Sequence, residues 1–219
     1  MKRGLFLTLE GIEGAGKSTV AQLIGSWLTR HGITARLTRE PGGTPLAERL
    51  RHIALERGAE SLSPVTETLL MFAARGLHVD NLIRPALSRG EWVVCDRFTD
   101  ATRAYQGGGR SVPADLIEAL SRAVQGGLEP DCTLLLDLPV GAGLARARAR
   151  AERAGGAGAA DRFEAEDVAF FEKVRAAYLA LAAREPRRIR VIDAAAPLSE
   201  VEQRIAGVLS ELHAREVHG

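Results

Sequence analysis

Lysine is nearly missing from this chain. Among 219 residues and 29 basic side chains, the lysines are Lys2, Lys17 and Lys173, and every other basic residue is arginine. Cysteine is almost as scarce. Cys95 and Cys132 both sit in apolar runs, and with no CxxC pair or His/Cys cluster the sequence predicts two core thiols and no structural zinc. Neither charge sign dominates: the net charge is +1, which gives no bulk reason for a nucleic-acid or membrane partner. Long hydrophobic runs are missing as well. Glu10 cuts the first apolar run after a few residues, too short for a signal peptide or a membrane span, so a soluble cytoplasmic protein is expected. A chain of this length buries about 70% of its unfolded surface, so one α/β domain over 1–219 needs no disulfide or metal staple.

What is present is concentrated near the N-terminus. Gly11-Ile12-Glu13-Gly14-Ala15-Gly16-Lys17-Ser18 fits G-x-x-x-x-G-K-[ST], the phosphate-cradling P-loop. The context is right, because Leu5–Leu9 reads as a buried strand and Ser18–Arg30 as a helix. Glycines let backbone N–H groups fold around an anion, and the helix N-terminus adds partial positive charge. One of the three lysines thus stands where it can reach the β- and γ-phosphates of a nucleotide. Ser18 beside it can bind Mg²⁺.

Strand-like and helical stretches alternate along the rest. Strands are expected at Leu5–Leu9, Ala35–Thr38, Trp92–Cys95, Thr133–Asp137 and Ile189–Ile192. Helices are expected at Ser18–Arg30, Pro45–Arg57, Pro64–Arg75, His78–Ser88, Ala114–Ala123, Gly141–Arg153, Asp167–Ala183 and Leu198–Ala214. That alternation predicts an α/β three-layer fold: a central parallel sheet of about five strands with helices on both faces. Ligands then bind at the carboxyl ends of the strands, where Glu10, Arg39 with Glu40, Asp96 with Arg97, and Asp137 all fall.

Phosphoryl transfer needs positive charge around developing oxyanions, a metal, and exclusion of water. Asp96, ending a strand, can hold the Mg²⁺ shell, and Arg97 can hold a second phosphate. Arg39-Glu40-Pro41-Gly42-Gly43-Thr44 predicts an unusual turn, compatible with a cis Glu40–Pro41 bond, that aims Arg39 into the same cleft. Phe72 and Arg75 share a helix face and suit a flat heteroaromatic base, although a lone helical Phe also fits a core. Tyr105 and Gln106 precede a flexible Gly107-Gly108-Gly109 run. Arg146, Arg150 and Arg153 share another helix face, with Arg148 and Arg162 nearby. The AGGAGAA patch at 154–160 interrupts them, so 146–163 is a candidate mobile lid.

Taken together, LEGIEGAGKST, TREPGGT, the MFAAR helix, CDRFTDATRAYQGGGR, LDLPVGAGLARARAR and DRFE resemble the thymidylate kinase family, in the family's order, from Leu9 to about Glu164. The P-loop is common to many proteins; TREPGGT and AYQGGGR are far more specific. The resemblance implies a P-loop nucleoside monophosphate kinase-like fold, transfer from ATP-Mg to dTMP, and a homodimer. It implies that Gly11 to Thr19 (Gly11, Ile12, Glu13, Gly14, Ala15, Gly16, Lys17, Ser18, Thr19) hold the ATP phosphates. It further implies that Glu13 contacts the sugar 3′-hydroxyl, that Arg39 and Arg97 clamp the acceptor phosphate, and that Phe72 stacks on thymine. By the same resemblance Arg75 is the donor to a thymine carbonyl, Tyr105 the residue that crowds out a 2′-hydroxyl, and Gln106 a neighbour of the base. The family commonly has a serine where this chain has Ala101, which leaves that polar contact either missing or supplied by Thr102. With no arginine among the variable P-loop positions, the chain resembles the bacterial subclass with its catalytic arginine in the lid. Arg150 and Arg153 are favoured there over Arg148 and Arg162.

Two other readings share the P-loop. A deoxynucleoside kinase has a neutral acceptor hydroxyl and needs a carboxylate base; Arg39 with Arg97 argues instead for a charged acceptor. A P-loop GTPase switch reads guanine with an N-K-x-D run, yet the only asparagine is Asn81, and Leu82 follows it.

Overall fold

The computed structural model describes residues 3–56, 60–153, 163 and 166–218. Five strands form one sheet: β1 (Phe6–Glu10), β2 (Ala35–Arg39), β3 (Trp92–Asp96), β4 (Cys132–Asp137) and β5 (Ile189–Asp193). Their order is β2-β3-β1-β4-β5, and every pairing is parallel. β1, β3 and β4 lie inside the sheet and are apolar and buried almost throughout, as strands covered on both faces must be. β2 lies at an edge, and Leu37 on it is exposed.

Helices close both faces. On one, α1 (Lys17–Arg30) and α9 (Leu198–His218) bury Val20, Ile24, Val201 and Leu209 against Leu7, Leu134 and Leu136. On the other, α8 (Val168–Arg184) sets Phe171, Val174 and Tyr178 against Leu135. The sequence also fixes several helix starts. Thr44 caps α2 (Pro45–Leu55) by accepting from Ala47 N–H. Ser63 caps α3 (Pro64–His78) and Asp167 caps α8 in the same way.

Two expectations need correction. The break between helices at Arg75 and His78 does not exist: α3 runs through a π turn (Val79–Ile83) directly into α4 (Arg84–Ser88). Pro85 lacks an N–H to donate, and the widened turn before it lets the helix continue without that bond. The glycine run after Gln106 is not a flexible loop either. A short helix, α5 (Thr99–Thr102), passes into π-helical turns over Arg103–Gly109 that pack on α8. A β-carbon at Gly108 would lie 2.6 Å from the Ala177 Cβ, and one at Gly109 2.4 Å from the Phe170 ring. These glycines allow close approach of two helices, not mobility.

The remaining helices are α6 (Ala114–Gln125) and α7 (Val140–Arg153). The Gly/Ala-rich part of the expected lid, including Arg162, lies outside the described residues. α7 touches the P-loop directly: a β-carbon at Gly143 would fall 2.6 Å from the Glu13 carbonyl oxygen. Gly143→Ala is therefore expected to push the loop out of shape and raise the KM for the P-loop nucleotide several-fold, with the melting temperature little changed.

Candidate active site

Because all strands run parallel, their carboxyl ends share one rim, and the loops leaving it enclose a cavity of about 370 Å³. That is an ordinary size for a small-molecule site. The P-loop forms one end. Gly16 at φ 94° occupies the left-handed region that only glycine enters freely, and it starts α1 with no side-chain cap. The first N–H groups of α1 are thus left for an anion. Lys17 Nζ donates to the carbonyls of Gly11 (3.0 Å) and Ile12 (3.1 Å), which holds the ammonium over the loop. Burial and then the nearby Arg97 charge lower its pKa to about 8; Glu13, Asp96 and Glu10 pull the other way. Ser18, Thr19 and Asp96 line the same end.

Asp96 tests the metal expectation. Its Oδ1 is buried without a hydrogen-bond partner among the described residues. A lone carboxylate oxygen, in a cavity also lined by a hydroxyl and an ammonium, suits a hydrated hard cation, whose water shell supplies the missing donors. Ser18 and Asp96 fit Mg²⁺.

The acceptor end is organised by Arg97. Its Nη2 donates to both Glu13 oxygens at 2.9 Å, and its guanidinium lies over the Tyr105 ring at 4.7 Å. Tyr105 donates to Glu13 Oε2 at 2.5 Å. Burial alone would raise the Glu13 pKa, but the Arg97 and Lys17 charges hold it below the usual range. Below this layer lies Glu10. Its carboxylate accepts from Phe98 N–H (2.8 Å), Ala101 N–H (3.2 Å) and Tyr178 (2.6 Å), and so fixes the turn that carries Arg97. Burial, with the Asp100 charge, raises Glu10 to about 7.

Arg75 projects from α3 at 3% exposure, held by Glu40 (2.7 Å), the Phe98 carbonyl (3.0 Å) and Thr102 Oγ1 (3.1 Å). Its Nη1 is buried and takes no partner among the described residues. On the cavity wall it is a preformed donor awaiting an acceptor. Arg39 also lines the cavity, but it is 55% exposed and paired with Glu48. The Glu40–Pro41 peptide is cis.

Phe72 is the clear correction. The structure does not bring its ring to the cavity: it is 1% exposed and packs with Val112 and Ile117, under the Arg75 guanidinium. Met71, one residue earlier, lines the wall instead. Facing the base and facing the core differ by one helical position, and the sequence carried no signal for which side faced in. Phe72→Ala is expected to cost about 3–4 kcal/mol of stability. Met71→Ala is expected to raise the KM of the nucleotide bound opposite the P-loop with a smaller change in melting temperature; the reverse pattern would restore Phe72 to the site.

Other wall residues carried no signal in the sequence: Arg51, Phe98 and Phe163. Glu40, a carboxylate expected at the strand-end rim, does line the cavity. On α7, Arg150 reaches the cavity wall, whereas Arg153 is exposed at the end of the helix and does not line the cavity. The expected dTMP-side residues other than Phe72 all line this cavity: Glu13, Arg39, Arg75, Arg97, Thr102, Tyr105 and Gln106.

This geometry has known counterparts. A thymidylate kinase family model matches residues 9–205. The chain belongs to the thymidylate kinase family. It is 53% identical over 219 residues to the thymidylate kinase of Alkalilimnicola ehrlichii, covering 100% of this chain and 98% of that protein. The thymidylate kinase of Pseudomonas fluorescens (strain SBW25) is 55% identical over 209 residues, 95% of this chain and 96% of that one. The crystal structure of the thymidylate kinase from Ehrlichia chaffeensis superposes with a TM-score of 0.73 at 30% identity, covering 94% of this chain and 99% of that chain. Membership in this family accounts for the sheet order and the P-loop placement together.

Proposed function

We propose that this chain transfers the γ-phosphoryl group of ATP to the 5′-phosphate of dTMP, giving dTDP. The observation that carries the reading is a single cavity with a phosphate loop at one end and, at the other, Arg97 beside a buried Arg75 whose Nη1 lacks a partner. The acceptor is already an oxyanion, so positioning and charge neutralisation do most of the work. Lys17 and the P-loop N–H groups hold the donor phosphates. Arg97 and Arg39 hold the acceptor phosphate. Arg75 Nη1 donates to thymine O4 while the Gln106 carbonyl accepts from N3–H, and Glu13 with Tyr105 seats the sugar. Arg150 on the cavity wall supports its role as the α7 arginine that meets the transferring group; Arg153 is the second candidate. Ser18 and Asp96 would hold Mg²⁺, which supplies charge neutralisation between the phosphates when bound.

A deoxynucleoside kinase is less well supported. It needs a carboxylate base; the cavity glutamates Glu13 and Glu40 are both engaged by guanidinium groups, and the remaining cavity carboxylate, Asp96, stands at the P-loop end, where it fits the metal. The protein acts in the cytoplasm as a homodimer. Support comes from the family resemblance and from exposed apolar side chains on two helices that pack together: Val65 and Leu69, four residues apart on α3, and Ile53 on α2. Among the described residues no helix is long and apolar enough to cross a membrane. The domain is one unit over 1–219.

A coupled assay across dTMP, dUMP, dCMP and thymidine tests the reading. dTMP is expected to be used best, and faster turnover of thymidine would overturn it. The pH profile is a second test. As pH rises through about 8, Lys17 loses its proton and its hold on phosphate, so kcat/KM for ATP is expected to fall above that point. Saturating kcat should fall later, because bound phosphates favour the charged ammonium.

A further inference from the structure

Gln106 has a partner that the reading above leaves unused. Its Nε2 donates to Glu67 Oε1 at 2.8 Å, and both residues are buried, at 2% and 1% exposure. Glu67 comes from α3, the helix that also carries Arg75. Arg110 approaches the same Glu67 oxygen, with its Nε at 3.5 Å. Arg110 is itself held: its Nη2 donates to Glu166 at 2.7 Å, and its guanidinium lies 4.8 Å from the Phe170 ring centre.

A carboxylate accepts and does not donate, so only the NH₂ end of the Gln106 amide can face Glu67. The carbonyl end is the one left for a base. Gln106 Oε1 takes no hydrogen bond among the described residues. Gln106 therefore offers the cavity an acceptor, and Arg75 Nη1 offers it a donor. Thymine presents a donor at N3 and an acceptor at O4, while cytosine presents an acceptor at N3 and a donor at N4. An amide free to rotate would serve either base; an amide fixed by Glu67 serves one.

We infer that Glu67, held in place by Arg110, is a positioning residue that sets pyrimidine selectivity by fixing the orientation of the Gln106 amide. Neither residue touches substrate. Arg110 supplies the opposite charge that a carboxylate this buried needs. The inference rests on the dTMP reading, so wild-type turnover of dTMP is measured first; its absence would defeat that reading and leave no selectivity to explain.

The test compares dissociation constants for dTMP and dCMP in wild type, Glu67→Gln, Arg110→Ala and Arg110→Lys, with ATP KM as the control. Gln at 67 can donate or accept, which releases the Gln106 amide. The dCMP-to-dTMP ratio of dissociation constants is expected to fall about tenfold or more in Glu67→Gln, mostly through weaker dTMP binding, while ATP KM stays within about twofold. Arg110→Ala should shift the ratio in the same direction, and Arg110→Lys should restore most of it. A folded Glu67→Gln protein with the wild-type ratio would overturn the inference. Should Glu67→Gln melt below the assay temperature, Arg110→Ala decides: an unchanged ratio there overturns it equally.

Discussion

Lys17→Ala is expected to lower kcat/KM by about 10³-fold or more while leaving the fold intact. The ammonium lies over the P-loop, fixed by the Gly11 and Ile12 carbonyls, and it is the only lysine among the residues lining the cavity. Arg97 cannot take its place, because its guanidinium is committed to Glu13 on the acceptor side. The substitution removes a partly buried charge and no core side chain; Val20 and Ile24, which seat α1, are untouched. Melting and circular dichroism should therefore match wild type closely. Lys17→Arg is not expected to rescue, since a planar guanidinium cannot fit where a compact ammonium meets two carbonyls. Turnover within tenfold of wild type in Lys17→Ala would remove the lysine from the mechanism.

Arg97→Ala is expected to cost about 10²–10³-fold in kcat/KM for dTMP, and stability as well. The activity loss follows from removing the guanidinium at the acceptor end. The stability loss follows from Glu13, which would be left in the cavity wall with only Tyr105 and Lys17 to offset its charge, at a cost of about 3 kcal/mol. Arg97 adds a backbone element. Its φ is 73°, in the left-handed region, and the position is held by its N–H to the Leu9 carbonyl at 2.9 Å. Alanine inherits that strain and glycine does not. Arg97→Gly should thus lose as much activity as Arg97→Ala yet be more stable by about 1 kcal/mol. Equal melting temperatures for the two would mean that the strain is absent; unchanged dTMP kinetics would mean that Arg97 does not hold the acceptor.

Much of this site was legible because its chemistry is local. A glycine-spaced loop between a strand and a helix leaves few alternatives, and Gly16, Lys17 and Ser18 stand as that pattern requires. All five strands lie within a residue of where apolar runs placed them, since a strand covered on both faces must be apolar along its whole length. The sequence failed where one helical step changes a side chain's surroundings. Met71 and Phe72 are neighbours with similar hydrophobicity, and which of them faces the cavity depends on how α3 packs against α6 and the turns after α5. The glycine run at 107–109 failed for a related reason: glycine signals either freedom or close contact, and only the α8 side chains 2.4–2.6 Å from the would-be β-carbons at Gly108 and Gly109 tell them apart.

The residues alone therefore determined a parallel α/β fold, a phosphate loop and the strand ends around which a site forms, because backbone geometry and burial on both faces act within a few positions of the chain. Only the tertiary structure decided that Glu40 orients Arg75, that Glu13 binds Arg97, and that Glu67 holds Gln106. Those pairs join residues 35, 84 and 39 positions apart. No local pattern encodes such a contact; it exists because the sheet order brings distant strand ends and helices onto one rim, where buried charges must find partners.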